Sequence, residues 1–195
     1  HLQYIGNHFS QSYLLRIEKE ANQLDKMIAD VLQVSRLEAN SQALSLHKQS
    51  LQDIVDHVLN DATFEAKQHN KQLQVSGSAA VTLNCDEALI ASALENLLRN
   101  AIKYAQHTIS LTLKHGDAIY IEICDDGPGV PNNQLSKLCE PFFRQSDARD
   151  RVSGGTGLGL AIAKNAIIAH GGSLVLSNKP QGGLCAMVTL PIIKE

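Results

Sequence analysis

Asn96 and Asn100 stand four residues apart in a stretch otherwise built from Leu89, Ile90, Ala93, Leu94, Leu97, Leu98, Ala101 and Ile102. That spacing predicts a well-buried helix from a cap at Asp86 to about Tyr104, with both amides on one face. Asn is a poor choice inside a helix, because its side chain competes for backbone groups. Two of them on one face therefore constrain the fold, since that face must meet something polar. Either the amides bond neighbouring backbone, or their oxygens serve a hard cation. Mg²⁺ suits a carboxamide oxygen, taking few protein ligands and completing its octahedron with phosphate oxygens and water. Lys103 would set an ammonium beside the same phosphates, and Tyr104 would lie against a base.

Three further segments follow in order. Asp125-Asp126-Gly127-Pro128-Gly129 comes directly after a buried strand. An Asp at a strand end can accept from the exocyclic amine of adenine, whereas guanine presents the wrong pattern, and glycines let the backbone approach a flat ring. The same letters also make a plain turn. Pro141-Phe142-Phe143-Arg144 begins a lid over 141–156, anchored by packing of Phe142 and Phe143. Arg144, Arg149 and Arg151 are its phosphate-contact candidates, the last two being equally readable as solvated loop charges. Gly155-Thr156-Gly157-Leu158-Gly159-Leu160 opens a helix, whose first N–H groups and dipole hold anions. No Gly-x-x-x-x-Gly-Lys-Ser/Thr run exists, and the glycines follow a polar loop rather than a strand, so neither a P-loop nor a dinucleotide fingerprint fits. Gly182-Gly183 reads as a hairpin turn that can also flank the site.

Composition excludes other classes. A net charge of −3 without a long basic run argues against nucleic acid. Aromatics at 4%, with no Trp, argue against a base- or sugar-stacking surface. Cys85, Cys124, Cys139 and Cys185 lack any C-x-x-C spacing and are expected as four reduced thiols in a cytosolic protein. No apolar run approaches the roughly 18–20 residues that cross a bilayer. No signal peptide is visible, and the chain, starting in mid-pattern without Met, reads as a soluble fragment.

Leu14, Ile17, Ala21, Leu24, Ile28 and Val31 form a narrow heptad-like seam on a helix over 12–39. Such a seam needs a partner helix from another chain or from an upstream segment; docking on its own domain is the alternative. Residues 1–11 are ambiguous, and 40–49 read as a polar connector with a short extended piece. Ser50 offers an N-cap, with Asp53 three positions on, for a helix to about 68. Residues 72–76 and 81–83 are short strands around a Gly-Ser turn, and 108–114 and 118–124 form a hairpin through His115-Gly116-Asp117. A short helix over 131–139, a helix over 157–170 and strands over 174–177 and 184–190 complete an α/β two-layer sandwich over about 45–195. Helices cover one side of a mostly antiparallel sheet.

In this order, the four segments resemble the N, G1, F and G2 boxes of sensor histidine kinases, within the gyrase-type ATPase superfamily. The resemblance implies a Bergerat-type ATP-binding domain over 43–195. It also implies a partial dimerisation helix over 1–42, ATP and Mg²⁺ as cofactors, and catalytic roles for Asn96, Asn100, Lys103 and Arg144. Asn100 matches the metal ligand and Asp125 the adenine-reading Asp. Nucleotide contacts carry over to Asn96, Arg99, Lys103, Tyr104, Gly127, Gly129, Phe143, Arg144, Gly155, Thr156, Gly157, Leu158, Gly159 and Leu160. Implied partners are a second copy through a helical hairpin and the receiver domain of a response regulator. Nucleic acid is not among them, and a bacterial inner membrane is reached only through segments outside this chain, which is then its cytoplasmic portion.

Asn96 sits where hydrolytic relatives place a Glu. An amide cannot take a proton from water, so the γ-phosphate would await a His nucleophile. The family's acceptor His precedes an acidic residue and, soon after, Pro. None of His1, His8, His47, His57, His69, His107, His115 or His170 has that context, so the acceptor is expected upstream, and the chain is expected to bind Mg-ATP without labelling itself. The competing readings are a hydrolytic ATPase of the gyrase or mismatch-repair class, an anti-sigma-type serine kinase, and a non-enzymatic docking module.

Overall fold

The computed structural model describes residues 2–38, 44–144 and 155–192. Helix α1 (Leu2–Glu38) starts well before residue 12, so the stretch that was ambiguous by pattern is helical. Leu14, Ile17, Ala21, Leu24, Ile28 and Val31 lie exposed along it. Among its described side chains, Val34 is buried with Leu158, Ala161 and Ile162, and Leu37 joins the main core.

Strand β1 (His47–Ser50) leads into α2 (Leu51–Gln68), and the Ser50 hydroxyl accepts from the Asp53 N–H at 3.2 Å, as an N-cap should. Strands β2 (Gln72–Gly77) and β3 (Thr82–Cys85) follow, but they do not pair around the Gly-Ser turn. Between them Ala79 is fully buried, its N–H bonded to Gln52 Oε1 at 2.9 Å, while Val81 accepts from the Leu51 N–H. These ties pull the chain under the start of α2. β3 therefore pairs antiparallel with β1, in a small separate sheet.

Asp86 caps α3 (Glu87–Tyr104) by accepting from the Leu89 N–H. Its broad apolar face is buried, as the sequence pattern predicts. Strands β4 (Thr108–His115) and β5 (Ala118–Asp125) form the expected hairpin. A single 3₁₀ stretch (Asn132–Lys137) replaces the predicted short helix. Helix α4 (Gly159–Ala169), β6 (Ser173–Asn178) and β7 (Leu184–Pro191) complete the chain.

The main sheet has the order β2-β4-β5-β7-β6, with β2 parallel to β4 and the other pairs antiparallel. Ile109, Leu111, Leu113, Ile119, Ile121, Ile123, Ala186, Val188 and Leu190 alternate onto the face that packs against the helices. Each large member contributes roughly 1.5–3 kcal/mol of burial. The layers are thus helices on one face of a mixed, mostly antiparallel sheet. Among the described residues no helix is long and apolar enough to cross a membrane.

The thiol expectation is corrected at two positions. Cys124 and Cys185 are directly opposed in the register of β5 and β7, and are joined as a disulfide. Cys85 and Cys139 are free.

Asp126 ties the two halves of the site together. Its carboxylate accepts from the N–H groups of Gln106 at 2.8 Å, His107 at 3.0 Å and Thr108 at 3.0 Å, which link α3 to β4. Burial pushes its pKa up, but the His107, Thr108 and Gln106 N–H groups outweigh that and hold it below the ordinary 3.8. A lowered acid pKa gives stability that is full above the unfolded value and is lost as pH falls through the folded one. Asp126→Ala should therefore cost about 1–2 kcal/mol at neutral pH, kept modest by solvent screening. In thermal melts followed against pH, its deficit relative to the parent chain should close only in acid below 3.8. A deficit that is absent at neutral pH, or unchanged in acid, would contradict the clamp.

Candidate nucleotide site

A cavity of about 600 Å³ lies between the polar face of α3, the loop after β5 and the start of α4. That volume falls within the range of small-molecule sites. Asn96, Arg99, Asn100, Lys103 and Tyr104 line it from α3, four residues or fewer apart, because the helix turns one face inward. Asn96 shows the backbone-bonding reading of its amide. Its Nδ2 donates to the Ser92 carbonyl at 2.9 Å, while its oxygen lies against Gly159, where an added Cβ would come within 2.8 Å. The Lys103 ammonium sits 4.9 Å from the Tyr104 ring centroid and close to Gly155.

Asp125, the last residue of β5, is only 3% exposed yet lines the cavity. Its Oδ1 accepts from the Gly127 N–H at 2.7 Å and the Leu184 N–H at 3.3 Å. Both bonds fall on one oxygen of a residue that lines the cavity. Burial raises the Asp125 pKa, and the Gly127 and Leu184 N–H groups partly offset that. Gly127 does not line the cavity. A Cβ there would meet the Tyr104 carbonyl at 2.3 Å, so its role is to let the loop pass against the end of α3.

The Pro141–Arg144 segment meets the glycine segment through backbone. The Phe142 N–H donates to the Gly157 carbonyl at 3.0 Å. Phe142 is 61% exposed, with φ +64°, so it does not anchor by packing as expected; Phe143 and Arg144 line the cavity instead. Gly129, Gly155, Thr156, Gly157, Gly159 and Leu160 also line it. Leu158 does not, being fully buried and packed with Val34 of α1. α4 begins at Gly159, two residues later than predicted. The lid between 145 and 154, with Arg149 and Arg151, lies outside the described residues.

Lys71, Asn178 and Asp30 were given no role in the site from sequence. Lys71 donates through Nζ to the carbonyls of Ile102 and Lys103, capping the negative end of α3 where Lys103 and Tyr104 leave it. Asn178 accepts from the Val130 N–H at 2.9 Å and returns a bond to the Val130 carbonyl, fixing the loop after Gly129 to β6. Asp30 reaches the cavity from α1 and accepts from the Thr156 hydroxyl at 3.4 Å. His69 lies at the cavity wall, whereas His170 is satisfied by the Ala166 carbonyl and the Asp86 N–H. Among the described residues, the one cluster of three ligand-type side chains is Glu122, Cys124 and Cys185. None of these lines the cavity, and the two sulfurs are bonded to each other. The Asn96 and Asn100 amides line the cavity beside Lys103, with the carboxylates of Asp30, Glu65 and Asp125 on other parts of its wall; a carboxamide oxygen fits an ion whose other ligands come with a phosphate.

Residues 85–194 match the family described as histidine kinase-, DNA gyrase B- and HSP90-like ATPase. The chain is 40% identical over 186 residues to the sensor histidine kinase CpxA of Escherichia coli (strain K12), covering 93% of this chain and 40% of that protein. It is 30% identical over 192 residues to the signal transduction histidine-protein kinase BaeS of the same strain, covering 96% of this chain and 41% of that one. It thus spans about two fifths of the length of these curated relatives. Among solved structures, full-length ShkA in complex with AMPPNP aligns at a TM-score of 0.80 and 24% identity, over 93% of this chain and 38% of that one. The Acinetobacter baumannii histidine kinase AdeS aligns at 0.74 and 22%, over 90% of this chain and 82% of that one. At those identities the structural likeness speaks for the fold. The family match spans more than half of the chain, through all four of the segments that carry the site, and the chain belongs to the histidine kinase-, DNA gyrase B- and HSP90-like ATPase family.

Proposed function

We propose that the cavity binds ATP with Mg²⁺, and that the chain is the catalytic region of a two-component protein-histidine kinase. The γ-phosphate would pass to a His on a dimerisation helix, and thence to an Asp in the receiver domain of a response regulator. Asp125 carries the nucleotide reading. A nearly buried carboxylate, held through one oxygen by two backbone N–H groups, lines a cavity of ligand size and would offer its other oxygen as an acceptor. That acceptor suits the adenine amine.

From there the cavity runs toward Asn100 and Lys103, the groups suited to a metal-bound phosphate chain. Mg²⁺, when bound, would neutralise charge on the phosphates. Asn100 would hold it through the carboxamide oxygen, with Lys103 and Arg144 as cationic phosphate contacts. Asn96 supports transfer over hydrolysis, because its nitrogen is committed to Ser92 and an amide has no basic site to activate water. The exposed seam of α1 suits a second copy, and the parent protein would reach an inner membrane through segments outside this chain.

Titration calorimetry with a non-hydrolysable ATP analogue tests the site. Asp125→Asn should weaken binding about 10- to 100-fold, with or without Mg²⁺, because an adenine-facing acceptor becomes a donor. Asn100→Ala should remove most of the gain in affinity that Mg²⁺ confers, while leaving metal-free binding near the parent value. Tight Mg-dependent binding that survives both changes would defeat the assignment. For the seam, sedimentation should show that Leu24→Glu with Ile28→Glu weakens self-association about tenfold or more without altering nucleotide affinity. An unchanged monomer–dimer equilibrium would remove α1 as the dimer surface.

A further inference from the structure

Cys124 and Cys185 form a register pair of β5 and β7, with Cα atoms 4.1 Å apart and the sulfurs joined. Their neighbours Ile123 and Ala186 belong to the core. By strand alternation the pair therefore projects from the sheet face that the helices leave uncovered. Cys124 is 5% exposed and Cys185 is half-buried, so a small thiol approaches from the Cys185 side.

The pair is adjacent to the carboxylate of the cavity. Asp125 follows Cys124, and Leu184, whose N–H donates to Asp125 Oδ1, precedes Cys185. The covalent tie thus lies one residue from both ends of that hydrogen bond. Antiparallel partners without a tie rest about 4.5–5.5 Å apart at Cα. Opening the tie lets the strand ends relax toward that spacing. The Leu184 bond, already 3.3 Å long, is the contact most exposed to such a shift.

We propose that Cys124 and Cys185 are a reversible thiol–disulfide site, exchanging with a low-molecular-weight thiol and its disulfide, that tunes how firmly Asp125 is held for an adenine base. The link to the base rests on the ATP reading above; the exchange chemistry does not. In the forward direction the Cys185 thiolate attacks the small disulfide, forming a mixed disulfide and releasing one small thiolate. The Cys124 thiolate then displaces the second small thiolate and closes the Cys124–Cys185 bond. The protons lost by the two cysteines end on the two small thiols, and two electrons pass from the pair to the small disulfide. Excess small thiol runs the same steps backwards.

In a reducing compartment a protein disulfide is typically transient and redox-sensing. The Glu122 carboxylate lies within 4.8 Å of both sulfurs, which disfavours thiolate there and favours the joined state. The other two cysteines are poor competitors. Burial, then Asp86 and Glu87, pushes the Cys85 thiol up to about 11, and burial raises that of Cys139.

The test equilibrates the full chain in buffers of graded reduced-to-oxidised glutathione ratio. Acid quenching, alkylation and peptide mass mapping follow, with calorimetry of the ATP analogue on the reduced and oxidised forms. Cys124 and Cys185 should move together from alkylated to joined, while Cys85 and Cys139 stay alkylated. The reduced form should bind the analogue about two- to fivefold more weakly. Cys185→Ser should keep the weaker value in every buffer. Separate alkylation of both cysteines in the most oxidising buffer overturns the pair. Equal affinities of the two forms overturn the coupling. Binding by neither form overturns the coupling and the ATP reading together, while the thiol map still decides the pair.

Discussion

The site depends on a carboxylate that the fold nearly removes from water. An unpaired buried carboxylate would cost several kcal/mol or would take a proton. Burial raises the Asp125 pKa, and two backbone N–H groups that converge on one of its oxygens offset part of that cost. One comes from the turn that follows β5, and the other from the first residue of β7, on the neighbouring strand. The carboxylate is thus satisfied by the sheet and the loop together. In the proposed reading its second oxygen is the acceptor for the base.

The remaining parts are positioned by polar ties of the same kind. Asp126 joins the end of α3 to the end of β5, and Lys71 caps the last carbonyls of α3. Asn178 fixes the loop beyond Gly129. These three side chains set the distance between the amide-bearing helix and Asp125, although none belongs to the expected binding set. The α1 helix enters the same arrangement from outside. Asp30 and Val34 touch the glycine segment where it turns into α4, so the long helix and the cavity share a wall.

Much of this was legible in the sequence, because local letters carried it. The cap at Ser50, the apolar face of α3, the β4–β5 hairpin and the strand-end position of Asp125 are all set within a few residues of chain. Where contacts run between distant segments, the letters were silent. Lys71 meets α3 only because β2 pairs in parallel with β4, which brings Gln72 opposite Thr108. The three partners of Asp126 are backbone groups, which leave no trace in composition. Cys124 and Cys185 are 61 residues apart, and only the β5–β7 register makes them neighbours. The two short strands β2 and β3 were legible, but the sheets they join were not. Burial of Ala79 at the start of α2 takes β3 to β1 while β2 pairs with β4. Likewise Phe142 was expected to pack because it is aromatic, yet its backbone, rather than its ring, joins the glycine segment.

The most direct measurement is a crystal structure of the chain grown with Mg²⁺ and a non-hydrolysable ATP analogue. The account predicts the adenine amine within hydrogen-bonding distance of Asp125, and the metal on the Asn100 carboxamide oxygen. A purine seated elsewhere, or a metal held without Asn100, would contradict it.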